Sequence, residues 1–131
     1  MLDTMRPRSG WFAAALLAAL GAVRAFAQDS AAVNPNTVTV KLDNAHVRVL
    51  ESVLKPGQRE QQHSHPASVI YVIEGGKIRN HTPDGKVTEA ELQAGSTAYR
   101  DPLTHWAENI GTTTLHLILI ELKDQKQPPP R

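Results

Sequence analysis

From Thr37 onward the apolar residues come in short bursts with no helical period. Thr37-Val38-Thr39-Val40-Lys41-Leu42 is rich in β-branched residues and predicts a strand that ends at the Asp43-Asn44 turn. His46 to Leu54 predicts a second strand, with Val47, Val49, Glu51 and Val53 on one face, and Pro56-Gly57 breaks it. Ser68 to Glu74 carries the run Val-Ile-Tyr-Val-Ile, apolar enough to predict burial on both faces. Gly75-Gly76 turns the chain into Lys77–His81. Thr82-Pro83-Asp84-Gly85 is a hairpin signal, and Lys86 to Leu92 returns as a polar edge strand. Ser96 to Arg100, His105 to Ile110 and the long apolar Leu115–Leu122 complete the series, separated by Gln93-Ala94-Gly95, Asp101-Pro102 and Gly111-Thr112. Short strands divided by glycine and proline turns predict an all-β sandwich or barrel, without solenoid repeats.

The N-terminus follows a different pattern. Arg6 and Arg8 precede an apolar run, Trp11 to Val23, followed by Arg24-Ala25-Phe26-Ala27-Gln28. A positive start, an apolar stretch too short for a bilayer and small residues before a cut after Ala27 predict a signal peptide over residues 1–27. An uncleaved anchor is the alternative, and the lack of a polar face on the run argues against an amphipathic helix. Pro7 separates the two arginines, so the general secretory route is expected, with a periplasmic or secreted destination. Residues 28–36 are small and polar and predict a flexible lead-in. The globular domain is expected over 37–122, and the charged, proline-rich 123–131 as a disordered tail.

Charge changes the picture only once the leader is set aside. The whole chain of 131 residues is formally +1, but residues 1–27 hold three arginines and Asp3, leaving 11 basic against 12 acidic residues. No basic stripe remains and aromatics are few, which argues against a nucleic-acid partner; no membrane association is expected after cleavage. There are no cysteines, so no disulfide framework supports the fold in an oxidising compartment.

The candidate chemistry lies in Gln61-Gln62-His63-Ser64-His65. Residues i and i+2 of a strand share a face, so His63 and His65 would present two imidazoles to one metal ion. A third histidine follows in His105-Trp106-Ala107-Glu108-Asn109. Gly57, five residues, then His63-Ser64-His65, with Tyr71-Val72-Ile73-Glu74-Gly75 after it, resembles the first motif of the cupin superfamily. Gly95, Pro102, His105 and Asn109 resemble the second, with Leu103 or Thr104 where a glycine is usual, and Lys77 to Ala94 is similar to the short hairpin of compact microbial members. The resemblance implies a single-domain jelly-roll barrel (double-stranded β-helix) over residues 37–122, with His63, His65 and His105 as metal ligands. The glutamate ligand of the first motif should fall near position 69, where the chain has Ser68, Val69 and Ile70. Three histidines suit Fe, Zn, Mn, Ni or Cu.

Other residues have blander expectations. His116 on an apolar strand reads as a hydrogen-bonded core histidine, His46 and His81 as solvated turn residues, and Glu74 as a surface residue. Gln62 faces away from the two ligands. Glu108 is expected to point away from the metal and to pair with Arg48 or Arg100. Tyr71, Tyr99 and Trp106 are candidates for the pocket wall. Three functions stay open: a metal-dependent oxygenase or isomerase acting on a small organic molecule, a ligand-binding or sensor module without chemistry or metal, and a structural dimer. No catalytic residue can be assigned. A homodimer would cover the edge strands of a small jelly roll.

Overall fold

The structure, a computed structural model, describes residues 28–123, so the expected signal peptide and residues 124–131 of the expected tail lie outside the described residues. Nine strands appear: β1 (Val38–Asp43), β2 (Val47–Leu54), β3 (His63–His65), β4 (Ser68–Glu74), β5 (Gly76–His81), β6 (Val87–Leu92), β7 (Thr97–Arg100), β8 (Leu103–Asn109) and β9 (Leu115–Leu122). They form a five-stranded sheet in the order β1-β2-β9-β4-β7 and a four-stranded sheet in the order β3-β8-β5-β6. Every pairing between these strands is antiparallel.

Side-chain alternation sets the two sheets face to face. In β2, Leu50, Ser52 and Leu54 are buried while the residues between them are half-exposed; in β8, His105, Ala107 and Asn109 are buried in the same way. Leu54, Ile78, Ala107 and Leu115 form one apolar cluster, and Val38, Leu50 and Leu119 form another. Each fully buried Leu contributes roughly 1.5–3 kcal/mol. The register then fixes the opposite face of the larger sheet. Val49 pairs with Ile120, Ile120 with Val69, and Val69 with Tyr99, in one row across four strands. No described strand packs over that row, where Val49, Val69 and Ile120 are half-exposed, and Tyr71, Ile73, Tyr99 and Leu122 on the same face are exposed. β4 is therefore buried on one face only, a correction to the reading of its apolar run.

Asn109 fastens the end of the barrel away from the histidines. It is fully buried, and its amide donates to the carbonyls of Leu54 (2.7 Å) and Thr113 (2.8 Å) while its Oδ1 accepts from the Gly111 N–H (3.0 Å). One side chain thus closes the turns after β2 and β8. Glycine is required where β4 passes into β5, because a Cβ at Gly75 would lie 2.0 Å from the Leu92 carbonyl oxygen.

Residues 28–36 also differ from expectation. Instead of a mobile lead-in they form a helical turn, α1 (Ser30–Val33), capped by the Asp29 carboxylate, with Ser30 and Asn34 buried. Asn34 suits this position because its side-chain amide bonds the Gln61 peptide just ahead of β3. The Ser64 N–H donates to the Gln28 carbonyl at 2.9 Å.

Candidate metal centre

β3 and β8 pair so that His63 lies directly opposite His105. Directly opposed residues share a face, as do His63 and His65 two positions apart, so all three rings point into the barrel. Each is buried. Ring centroids are 4.7 Å apart for His63–His65 and His63–His105, and 5.4 Å apart for His65–His105. One ligand nitrogen from each ring lies within 4.8 Å of the other two, which makes this a set able to hold one ion.

The opposite edge of each ring is held by a neighbour. His65 Nδ1 is 2.6 Å from the Glu121 carboxylate, His63 Nδ1 is 2.7 Å from the Gln61 carbonyl, and His105 Nδ1 is 3.1 Å from Asn80 Oδ1. Each of these oxygens can accept, so each Nδ1 is placed to donate, although His63 Nδ1 also lies 3.1 Å from the Asn34 amide nitrogen. Asn34 fixes the Gln61 peptide from both sides: its Oδ1 accepts from Gln61 N–H at 2.6 Å and its Nδ2 donates to Gln61 O at 3.3 Å. Such outer partners set the tautomer and orientation of metal-ligating histidines. His105 Nε2 is buried with no hydrogen-bond partner, an orphaned lone pair that a metal ion would satisfy. The donor set fits a first-row divalent metal.

Burial also fixes the charge of the rings. Desolvation holds His63 down to about 4 and, with the nearby Arg100 charge adding to it, His105 to about 2. Both are neutral at pH 7, the form that binds metal. Glu60 shows the opposite effect. It is buried 3.8 Å from His63 Nε2, with Ser52 Oγ donating to it at 3.4 Å, and desolvation raises its carboxyl to about 7.

Behind the rings lies a cavity of about 250 Å³ with Leu50, Ile70, Val72, Ile78 and Leu119 among its walls. Arg100 enters it from β7.

The structure brings His63, His65 and His105 together as the sequence suggested. Gln62 and Glu74 are exposed and outside the site. Several expectations need correction. Tyr71 and Tyr99 are on the outer face of the sheet, exposed rather than on the pocket wall. Trp106 alternates outward from His105, with Arg59 over it at 5.5 Å and His81 stacked on it at 5.2 Å, so His81 is a packed ring and not a solvated one. His116 also points outward and bonds Glu51 at 2.8 Å, so it is hydrogen-bonded but not in the core. Glu108 faces Arg79 (3.6 Å) and His81 (3.5 Å), not Arg48 or Arg100. Val69 pairs with Tyr99 on the outer face, so position 69 could not supply a ligand.

Sequence reasoning missed Glu60, Arg100, Glu121, Asn34 and Asn80. For Glu121 a signal existed in the sequence, whereas for Arg100 it appears only once its strand partner is known. Glu121 has the parity of Leu115, Leu117 and Leu119, and Arg100 stands opposite the fully buried Ser68, so both are charged residues at inward positions. Glu60 sits in a polar run that reads as surface, and only the pairing of Arg59 with Glu108 beside it turns its side chain inward.

No family model matches the chain, and no curated protein does. Among solved structures, the chain is 28% identical to a cupin domain from Bordetella pertussis Tohama I, with a TM-score of 0.61 over 66% of this chain and 92% of that one. It is 29% identical to an uncharacterized conserved protein with a double-stranded β-helix domain from Klebsiella pneumoniae, with a TM-score of 0.53 over 64% and 73% of the two chains. An RmlC-like cupin family protein from Methanocaldococcus jannaschii shares the fold at 17% identity and a TM-score of 0.54, over 65% of this chain and 77% of that one.

Proposed function

We propose that this chain, which by its fold belongs to the cupin superfamily, binds a first-row divalent metal through His63, His65 and His105 and receives a small organic molecule in the cavity behind them. The observation that carries this reading is the shared posture of the rings. All three Nδ1 atoms lie at hydrogen-bond distance from an oxygen acceptor, and His105 Nε2 is buried without a partner. Packing alone would not require three buried imidazoles each turned with Nδ1 toward an oxygen. The ion would supply Lewis acidity or a redox centre. Beside it, the Glu60 carboxyl at about 7 is able to take or give a proton near neutral pH. That pairing favours an enzyme over a passive binding module.

Export after cleavage at Ala27 belongs to the same reading, as does a second copy covering the outer apolar face that includes Tyr99 and Leu122. The deciding experiment is element-resolved metal analysis of untagged protein prepared from the periplasm. About one ion per chain is expected. A His63→Ala, His105→Ala double variant should retain none. Wild-type protein that contains no metal and takes none up on reconstitution would end the proposal.

A further inference from the structure

Four arginines lie among the described residues, and three of them have evident side-chain partners. Arg48 pairs with Asp29, Asp43 and Glu121, Arg79 pairs with Glu89 and Glu108, and the exposed Arg59 lies over Trp106. Arg100 differs. It stands directly opposite Ser68, which is wholly buried, while its neighbour Tyr99 is 63% exposed, so the Arg100 side chain runs inward. It lines the cavity, and it makes no ion pair or hydrogen bond with any described residue. Its charge is felt by Glu60, His63 and His105, which places the guanidinium near the histidine end.

A half-buried guanidinium that enters a cavity without a bonded partner gives up part of its hydration and gains only the nearby charge of Glu60 in return. A ligand that supplies two acceptors in one plane removes that cost, and a carboxylate does so with a bidentate pair of charge-assisted bonds. The rest of the cavity narrows the choice. No lysine lines it, so a single positive side chain is available, which suits a monoanion better than a phosphate dianion. The remaining wall, with Leu50, Ile70, Val72, Ile78 and Leu119, is aliphatic, and its volume of about 250 Å³ lies below the usual range for drug-sized ligands.

We infer that the cavity is a site for a small apolar carboxylic acid, whose carboxylate is held by Arg100 and whose hydrocarbon body lies against the aliphatic wall. The inference rests on the proposed function for its biological meaning, since the acid would reach toward the three histidines. The anion contact itself belongs to Arg100, so it can be tested separately from the metal.

The test uses matched pairs, 3-methylbutanoate with 3-methylbutanamide and benzoate with benzamide. Each is titrated calorimetrically into the wild-type protein, both metal-loaded and chelator-treated. At least one acid should bind roughly ten- to hundredfold more tightly than its amide, the size of one charge-assisted contact. Arg100→Gln should erase that preference, Arg100→Lys should keep part of it, and the metal content of Arg100→Gln should equal that of the wild type. Acid and amide binding equally, neither acid binding, or an acid preference that survives in a folded Arg100→Gln variant would each overturn the assignment. If Arg100→Gln does not fold, the acid–amide comparison on the wild type decides alone. An absence of metal uptake sinks the metal proposal, whereas equal binding of acid and amide sinks only this one.

Discussion

The two ends of this barrel interior are built on opposite terms. At one end Leu54, Ile78, Ala107 and Leu115 pack together, and Asn109 has both amide protons and its oxygen bonded. At the other, three imidazoles, a carboxyl and a guanidinium crowd into the same small shell, with His105 Nε2 lacking any partner. The first end is complete as it stands. The second makes sense only with something added, because buried polar groups left unpaired destabilise a fold. Stability and chemistry have been assigned to different ends, and changes at each should be felt differently.

The largest effect should come from the complete end. Asn109→Ala strands the carbonyls of Leu54 and Thr113 and the N–H of Gly111, and should cost about 3–5 kcal/mol. Urea unfolding would measure it, and the metal content of whatever remains folded should not change. A loss below about 1 kcal/mol would mean that the turns hold themselves without this side chain.

At the histidine end, Glu121→Ala removes the acceptor for His65 Nδ1 and should weaken metal binding about 10- to 100-fold. Competition with a fluorescent chelator reads this directly. Unchanged affinity would show that His65 is oriented without Glu121.

The smallest effect is a slope with pH in the metal-free protein. His63 and His105 have folded values of about 4 and about 2, below the ordinary 6.5, so the unfolded chain takes up protons on them first as pH falls. Their stabilising contribution is full above 6.5 and is lost below it. Glu60, raised from 4.5 to about 7, works the other way: its contribution is full below 4.5 and is lost as pH rises through 7. Near pH 5.5 the two histidines outweigh the one carboxyl by a single proton, so stability should fall by about 1.4 kcal/mol per pH unit of acidification. Glu60→Gln removes the offset and should roughly double that slope. Equal slopes in the two proteins would mean that Glu60 is ionised in the fold.

Most of the architecture was legible because strand alternation and turn residues are local. The strand boundaries read from Ser68–Glu74 and Leu115–Leu122 match the structure residue for residue. Exposure was harder to read. The run Val69-Ile70-Tyr71-Val72-Ile73 looks buried throughout, but whether a second layer covers its outer face depends on where the rest of the chain goes. The histidines were legible because their spacing is local and the resemblance is carried by short motifs. Their supports were not: Asn34, Asn80 and Glu121 reach the three rings from 29, 25 and 56 residues away. Arg100 shows the limit most clearly, since a charged residue at an inward position looks like a strand end until the strand opposite it is known.

The Asp29–Arg48 pair extends the coordination chemistry beyond the barrel wall. Arg48 also approaches Glu121 at 3.8 Å, and Glu121 holds the His65 ring, so a chain of charges runs from the residue that caps α1 to a metal-facing imidazole. Asn34, at the other end of the same short helix, steadies the peptide behind His63. Two of the three rings therefore take their bearing from a segment of fewer than ten residues lying ahead of the first strand. A cut after Ala27 would leave this segment whole, so the bearing of both rings would survive removal of the leader.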